Sequence, residues 1–112
     1  SVRVLIECEG NAYISRAYFQ FYDEKLFIMI IELNQEELDY YTMFTTLSEK
    51  YGDPASLDPT EAVWNFSNLR LSLEKPLTIK YIDRVVFEKL KNEGKALEDM
   101  EIISREKFLD DF

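Results

Sequence analysis

Carboxylates are the most plentiful chemically active side chains in this sequence. The chain has 22 Asp and Glu residues, 13 Lys and Arg residues, and no His. Two carboxyl groups can act as general acid and base when they lie about 5 to 9 Å apart in environments that separate their pKa values. Six of these carboxylates fall at turns or expected helix starts, where they interact with backbone N–H groups: Asp23, Glu24, Glu36, Glu37, Asp39 and Asp83. We therefore expect no catalytic residue set, and a His-free carboxylate enzyme is the weaker alternative.

Simple counting excludes several other kinds of site. With the single cysteine Cys8 and no His, the chain cannot build an internal disulfide, a Ser-His or Cys-His nucleophile pair, or a His-based zinc site. Asp53, Asp58 and Glu61 share one loop and offer oxygen ligands of the kind calcium prefers, but their spacing lacks the EF-hand pattern and its glycine. We expect no cofactor and no bound metal, and a buried, unreactive Cys8.

The charge of the chain bears on its partners. The formal net charge is −9 at pH 7, which opposes attraction to phosphate backbones and anionic lipid. The longest apolar run covers residues 26–31, far short of the about 20 residues that a membrane-spanning helix requires. We therefore expect no nucleic-acid partner and no membrane insertion.

Three strands are expected before the first helix. One side of the first strand should carry Val2, Val4, Ile6 and Cys8, and these residues alternate with Arg3, Glu7 and Glu9, which is typical of a half-buried strand. A Gly-Asn turn at Gly10 follows. The return strand should span about residues 12–22. A third strand at residues 26–33 begins with the unbroken apolar run of residues 26–31, which indicates burial on both faces.

One main helix should follow these strands. Asn34 precedes Gln-Glu-Glu, a combination that predicts an N-cap at Asn34. Gly52 should end the helix, and Pro54 prevents its continuation. One apolar stripe, at spacings of four, three and four, consists of Tyr40, Phe44, Leu47 and Tyr51.

The second half of the chain predicts three more strands and a helical tail. The strands should lie near residues 62–66, 69–73 and 77–82, and Asp83 should cap a short helix that ends before Gly94. The pattern predicts an α+β fold: an antiparallel β-meander of about six strands in the order βββ-α-βββ, with the main helix packed on one face. We expect one domain over residues 1–93 and a charged helical tail over residues 94–112.

Several short motifs resemble a pattern that recurs in small uncharacterised bacterial α+β domains. They are Leu-Ser-Glu-Lys-Tyr-Gly-Asp-Pro from Leu47, Trp64, Leu-Arg-Leu from Leu69, and Ile-Lys-Tyr-Ile-Asp from Ile79. With the preceding hairpin, the likeness covers about residues 14–83. Several such domains are envelope-associated or lipoprotein-like, so the resemblance implies a bacterial protein and favours the envelope or periplasm over the cytoplasm. It implies no catalytic residues.

Aromatic side chains occupy both faces of the first predicted hairpins. One helix covers only one face, so the other must be covered by the tail, by a second copy or by another partner, or be left as an exposed patch for a partner or an apolar ligand. The candidate interaction surface consists of Tyr13, Tyr18, Tyr22, Phe27, Phe108 and Phe112. These features favour a noncatalytic protein-interaction or structural accessory domain that binds a protein partner or self-associates.

A second binding hypothesis concerns a small apolar ligand. Such a ligand would lie between the sheet and the helix that carries Tyr40, Phe44 and Tyr51. A tightly filled interface between helix and sheet would argue against it.

Overall fold

Seven strands and two longer helices follow one another in the part of the chain that the computed structural model describes, residues 3–92, 103 and 105–110. A short C-terminal helix covers residues 105–110. The strands are β1 (Arg3–Glu9), β2 (Ile14–Tyr22), β3 (Lys25–Leu33), β4 (Ser56–Leu57), β5 (Glu61–Asn65), β6 (Leu69–Glu74) and β7 (Thr78–Asp83). The helices are α1 (Tyr40–Tyr51), between β3 and β4, and α2 (Arg84–Asn92), after β7.

The strands form one antiparallel sheet in the order β1-β2-β3-β7-β6-β5-β4. Two meanders, β1 to β3 and β4 to β7, join where β3 pairs with β7. The α+β antiparallel prediction is confirmed, with one strand more than expected. The additional strand β4 arises because the loop after α1 turns back on β5 and pairs Ser56 with Val63 and Leu57 with Ala62.

The pairing register divides the side chains between two faces, because directly opposed residues in an antiparallel sheet point to the same side. We call these the α1 face and the α2 face, after the helix packed on each. One row on the α1 face runs across five neighbouring pairings through Ile6, Phe19, Met29, Tyr81, Leu71 and Trp64. The corresponding row on the α2 face runs through Leu5, Gln20, Ile28, Ile82, Arg70 and Asn65.

A core fills the space between α1 and the second meander. Leu47 of α1 packs in one cluster with Trp64, Leu71 and Leu73, all almost fully buried. The Phe44 and Trp64 rings lie 6.0 Å apart, and the indole N–H of Trp64 donates to the carbonyl of Gly52 at 2.9 Å. Side chains thus occupy the interface in which an apolar ligand was hypothesised.

A second core fills the space between α2 and the first meander. Leu90 of α2 and Ile103 are buried against Tyr18, Tyr22 and other residues of the α2 face. The C-terminal helix lies beside them: Asp110 accepts a hydrogen bond from the Arg16 guanidinium at 2.6 Å, and Lys107 lies 3.4 Å from Glu32. The described part of the tail therefore covers the second face of the first hairpins.

The start of α1 corrects the sequence prediction. Asn34 does not cap it: its side chain accepts from the N–H of Glu36 and closes a single turn. The N-cap is Asp39, whose carboxylate accepts from the N–H of Thr42 at 2.7 Å. Both residues are good capping types, and sequence alone places the helix at the earlier one. The predicted end is confirmed, since Gly52 has φ 84° and donates to Ser48.

The turn of the first hairpin leaves no room for a side chain at Gly10. A Cβ at this position would overlap the carbonyl oxygen of Ile14. The Asn11 side chain reinforces the turn by accepting from the N–H groups of Tyr13 and Ile14. The predicted interruption at Gly94 lies outside the described residues.

Candidate functional site

Each helix packs mainly on a different half of the sheet. The core under α1 lies mostly on the second meander and extends to Ile31 and Leu33 of β3 on the same face. The core under α2 and the C-terminal helix lies on the first meander on the opposite face, and α2 also contacts β6 and β7. Each half of the sheet is therefore left with one face that is less completely covered, although Ser72 and Val63 are buried even there. The two less covered faces have different chemistry.

The exposed face of the first meander is apolar. Val4 and Ile6 are each 43% exposed, Leu26 is 41% exposed, and Cys8 is exposed. The members of this apolar patch are Val4, Ile6, Cys8, Phe19, Phe21, Leu26 and Met29. Its exposure follows from the reach of α1: along one row, Ile6 is 43% exposed whereas Leu71 is 0% exposed. Contiguous apolar surface of this kind marks sites of interaction.

The apolar patch borders the longer edge of the sheet. Strand β1 is the last strand on that side and pairs with β2 at all seven of its residues. The opposite edge, β4, has only two residues. A long edge strand presents a row of backbone donors and acceptors that can template pairing with another strand.

On the α2 face of the second meander, half-buried charged side chains pair with one another around the buried Ser72. Lys80 and Ser72 both contact the carboxylate of Glu74, at 3.0 and 3.1 Å, and Arg70 lies 3.8 Å from Glu61. We call these five residues the polar patch. Its two cationic and two anionic side chains balance in formal charge.

A cleft lies where the polar patch meets α2. Its volume is about 420 Å³, and it is lined by Asn65, Arg70, Ile82, Arg84, Phe87 and Glu88. Asn65, Arg70 and Ile82 form its floor, because they are consecutive members of one cross-strand row. The other three residues form its wall on the first turns of α2, where positions i, i+3 and i+4 share one side.

The shifted carboxyl groups are explained by local backbone structure. Hydrogen bonds from Thr42 hold the pKa of Asp39 below its ordinary value, and hydrogen bonds from Thr60 and Glu61 do the same for Asp58. Asp58 thus acts as a turn residue, and Glu61 pairs with Arg70. No group of three Asp, Glu or Cys residues within the described ranges is placed to hold a metal ion.

Burial raises the pKa of three tyrosines. The phenols of Tyr18, Tyr40 and Tyr81 are all shifted upward, chiefly because desolvation disfavours the charged form. Each of these rings packs in one of the two cores. Their shifts reflect packing.

The predicted interaction residues fall into three groups. Tyr18, Tyr22 and Phe27 are buried in the core beneath α2, so their assignment to a surface is wrong: the tail that was one of the expected covers is packed on them. Tyr13 and Phe108 are exposed, and their role in binding stays a prediction. Phe112 lies outside the described residues.

Sequence reasoning missed the apolar patch because it concentrated on aromatic residues. Val4, Ile6 and Cys8 form the apolar side of the first strand, and the alternation itself was visible. The sequence pattern does not show that β1 lies at the edge of the sheet, where no described element covers its α1 face. The same position exposes Cys8, so the prediction of a buried thiol is wrong.

Comparison with known proteins identifies the family. The family model for the TP0088 domain matches residues 1–93 of the 112. The chain belongs to the TP0088 domain family. Searches of curated proteins and of solved structures each found no match. The TP0088 match supports a small domain that includes the motif-bearing stretch, while the predicted envelope association stays a prediction.

A search of the described helices for membrane-spanning segments found none with the necessary length and apolarity.

Proposed function

We propose that this TP0088 domain is a noncatalytic interaction domain that self-associates through β1 and the apolar patch. The observation that supports this most is the exposure of Val4 and Ile6 on the longer edge strand of the sheet. Association would remove apolar surface from water, with a gain of roughly 25 cal/mol per Å² before the costs of association.

A second copy of the chain fits this edge. If two β1 strands pair in antiparallel fashion about Ile6, Ile6 lies opposite its own equivalent and Val4 lies opposite Cys8. On its α1 face the edge is thus self-complementary, since apolar residues lie opposite apolar residues, which is what a twofold interface requires.

The carboxyl groups with shifted pKa values also favour a noncatalytic role. A carboxylic acid that works as a proton donor near neutral pH needs a raised pKa. The pKa values of Asp39 and Asp58 are instead lowered, because each carboxylate accepts hydrogen bonds at a helix cap or a turn. A carboxylate enzyme therefore has less support than an interaction domain.

The first test is the solution mass by light scattering over a concentration series in about 0.15 M salt, which screens the net charge of each copy. We expect a dimer of twice 13.3 kDa. Ile6→Lys should weaken association at least tenfold, because it sets two charges against each other at the centre of the junction. Leu57→Lys is the matched control, since Leu57 is exposed on the other edge strand.

A cysteine pair tests the register. In a Cys8→Ser background, Ile6→Cys should cross-link two copies on mild oxidation, because opposed residues in antiparallel strands lie within disulfide range. Cys8 of the unaltered chain should not cross-link, since the register separates the two copies of this residue. A monomer at every concentration would overturn the proposal, and so would a dimer that Leu57→Lys breaks and Ile6→Lys leaves intact.

A further inference from the structure

The cleft at the start of α2 combines two guanidinium groups with an apolar wall. Arg70 and Arg84 both line it, together with the side chains of Phe87 and Ile82. Its volume of about 420 Å³ falls within the range of small-molecule sites, about 300 to 1,000 Å³. It lies on the α2 face, whereas the apolar patch lies on the α1 face.

The guanidinium groups keep donors for a ligand. Arg84 donates one Nη1–H group to the carbonyl of Phe66 at 3.1 Å, and a guanidinium has five N–H donors. Arg70 is 3.8 Å from the Glu61 carboxylate, which is longer than a hydrogen bond. Both side chains can therefore turn further donors toward a carboxylate, which guanidinium groups recognise in a planar, two-point geometry.

The formal charge of the cleft suits a monoanion. Two arginines and Glu88 give +2 − 1 = +1 among the lining residues, and the Glu61 carboxylate, which is not part of the lining, lies 3.8 Å from Arg70. This local positive charge stands out in a chain whose net charge is −9. Phe87 and Ile82 provide the surface for an apolar body beside the anionic group.

We propose that this cleft binds a carboxylate that carries an aromatic or aliphatic group. Arg70 and Arg84 bind the carboxylate, and Phe87 packs against the apolar body. The same chemistry is offered by a free small acid and by the carboxyl terminus of a peptide that ends in an apolar residue. Binding here is independent of self-association through β1.

The test is a titration followed by amide chemical shifts in NMR spectra. The probe is 3-phenylpropionate, and we expect shifts at Asn65, Arg70 and Phe87 with a Kd on the order of 1 mM, as befits a ligand of this size. Its neutral amide and acetate should each bind at least tenfold more weakly, because one lacks the charge and the other lacks the apolar body.

Two variants and one control locate the site. Arg70→Gln and Arg84→Gln should each weaken binding at least tenfold, and Arg105→Gln should leave it unchanged, since Arg105 is exposed on the C-terminal helix. The amide spectrum of each variant reports directly whether it is folded. Arg84 is exposed, so we expect Arg84→Gln to fold. This variant therefore still tests the proposal if Arg70→Gln unfolds.

A Gly-Gly-Phe peptide separates the two sources of the carboxylate. Tighter binding of the free-acid peptide than of 3-phenylpropionate assigns the cleft to a chain terminus, and weaker binding assigns it to a small acid. Equal binding of acid and amide would overturn the proposal. Shifts that persist unchanged in both arginine variants would do so as well.

Discussion

The two halves of the sheet differ in what they leave exposed. In the second meander, α1 buries the apolar face, and the opposite face carries Lys80, Glu74 and Ser72 in mutual contact. In the first meander, α2 and the C-terminal helix bury a face that includes Tyr18, while Val4 and Ile6 on the other face are each 43% exposed. One half therefore presents a surface suited to water, and the other presents an apolar surface.

This difference indicates which half of the sheet gains more free energy when a partner covers it. Ion pairs between partly exposed side chains contribute little free energy, because water already stabilises the separate charges. Apolar side chains beside a long strand edge gain free energy from any partner that removes them from water. The contrast arises from coverage: rows of apolar residues cross the sheet without interruption, but α1 spans only part of its width.

The largest expected effect is on the free energy of unfolding, and it appears when Leu71 and Ile6, two residues of one cross-strand row, are each replaced by Ala. Leu71→Ala should lower the free energy of unfolding by about 2–5 kcal/mol, because it opens a cavity under α1. Ile6→Ala should cost less than about 1 kcal/mol at low protein concentration, since Ile6 is already 43% exposed. Urea denaturation of both variants measures the difference.

Repeating the two denaturation measurements at several protein concentrations separates the effect of self-association from the effect on folding. If β1 mediates self-association, the cost of Ile6→Ala should grow as the protein concentration rises, whereas the cost of Leu71→Ala should not. Equal costs for the two substitutions at low concentration would mean that the two halves of the α1 face are equally covered.

A substitution of intermediate effect tests whether the C-terminal segment stabilises the first meander. Ile103→Ala should lower the free energy of unfolding by about 2 kcal/mol, because Ile103 is 1% exposed among the residues of the α2 core. Leu109→Ala is the matched control on the C-terminal helix, since Leu109 is exposed. Amide exchange of β2 should quicken in the first variant only. Unchanged exchange in both variants would contradict a stabilising role for the docked tail.

The smallest effect concerns the residue that sets where α1 begins. The folded-state pKa of Asp39 lies below its ordinary value of 3.8, so its charge contributes stability that is present above about pH 4 and is lost as the pH falls through the lowered pKa. Asp39→Asn keeps the capping oxygen and removes the charge. Wild type should therefore have the higher melting temperature at pH 7, and the difference should shrink toward pH 3.

A second substitution at the same position serves as its control. Asp39→Ala removes the capping acceptor itself, so its melting temperature should be lower than that of Asp39→Asn at both pH values. A difference between wild type and Asp39→Asn that grows in acid would contradict the assigned direction of the shift.

Local patterns determined the elements of this protein. Alternation in β1, the turns at Gly10 and Asp23, the cap at Asp83 and the helix end at Gly52 were all readable from the sequence, because each depends on neighbours within a few residues. The start of α1 was not, since Asn34 and Asp39 are both competent caps and the longer-range fold selects between them.

Tertiary structure alone decided which surfaces are exposed. Tyr18 and Tyr22 were predicted on an interaction surface, yet Leu90 and Ile103 bury them from positions far along the chain. Ile6 belongs to an equally apolar pattern and remains exposed. Which apolar residues a helix reaches depends on strand order and on where that helix crosses the sheet, and neither property is encoded in the residues beside the exposed ones.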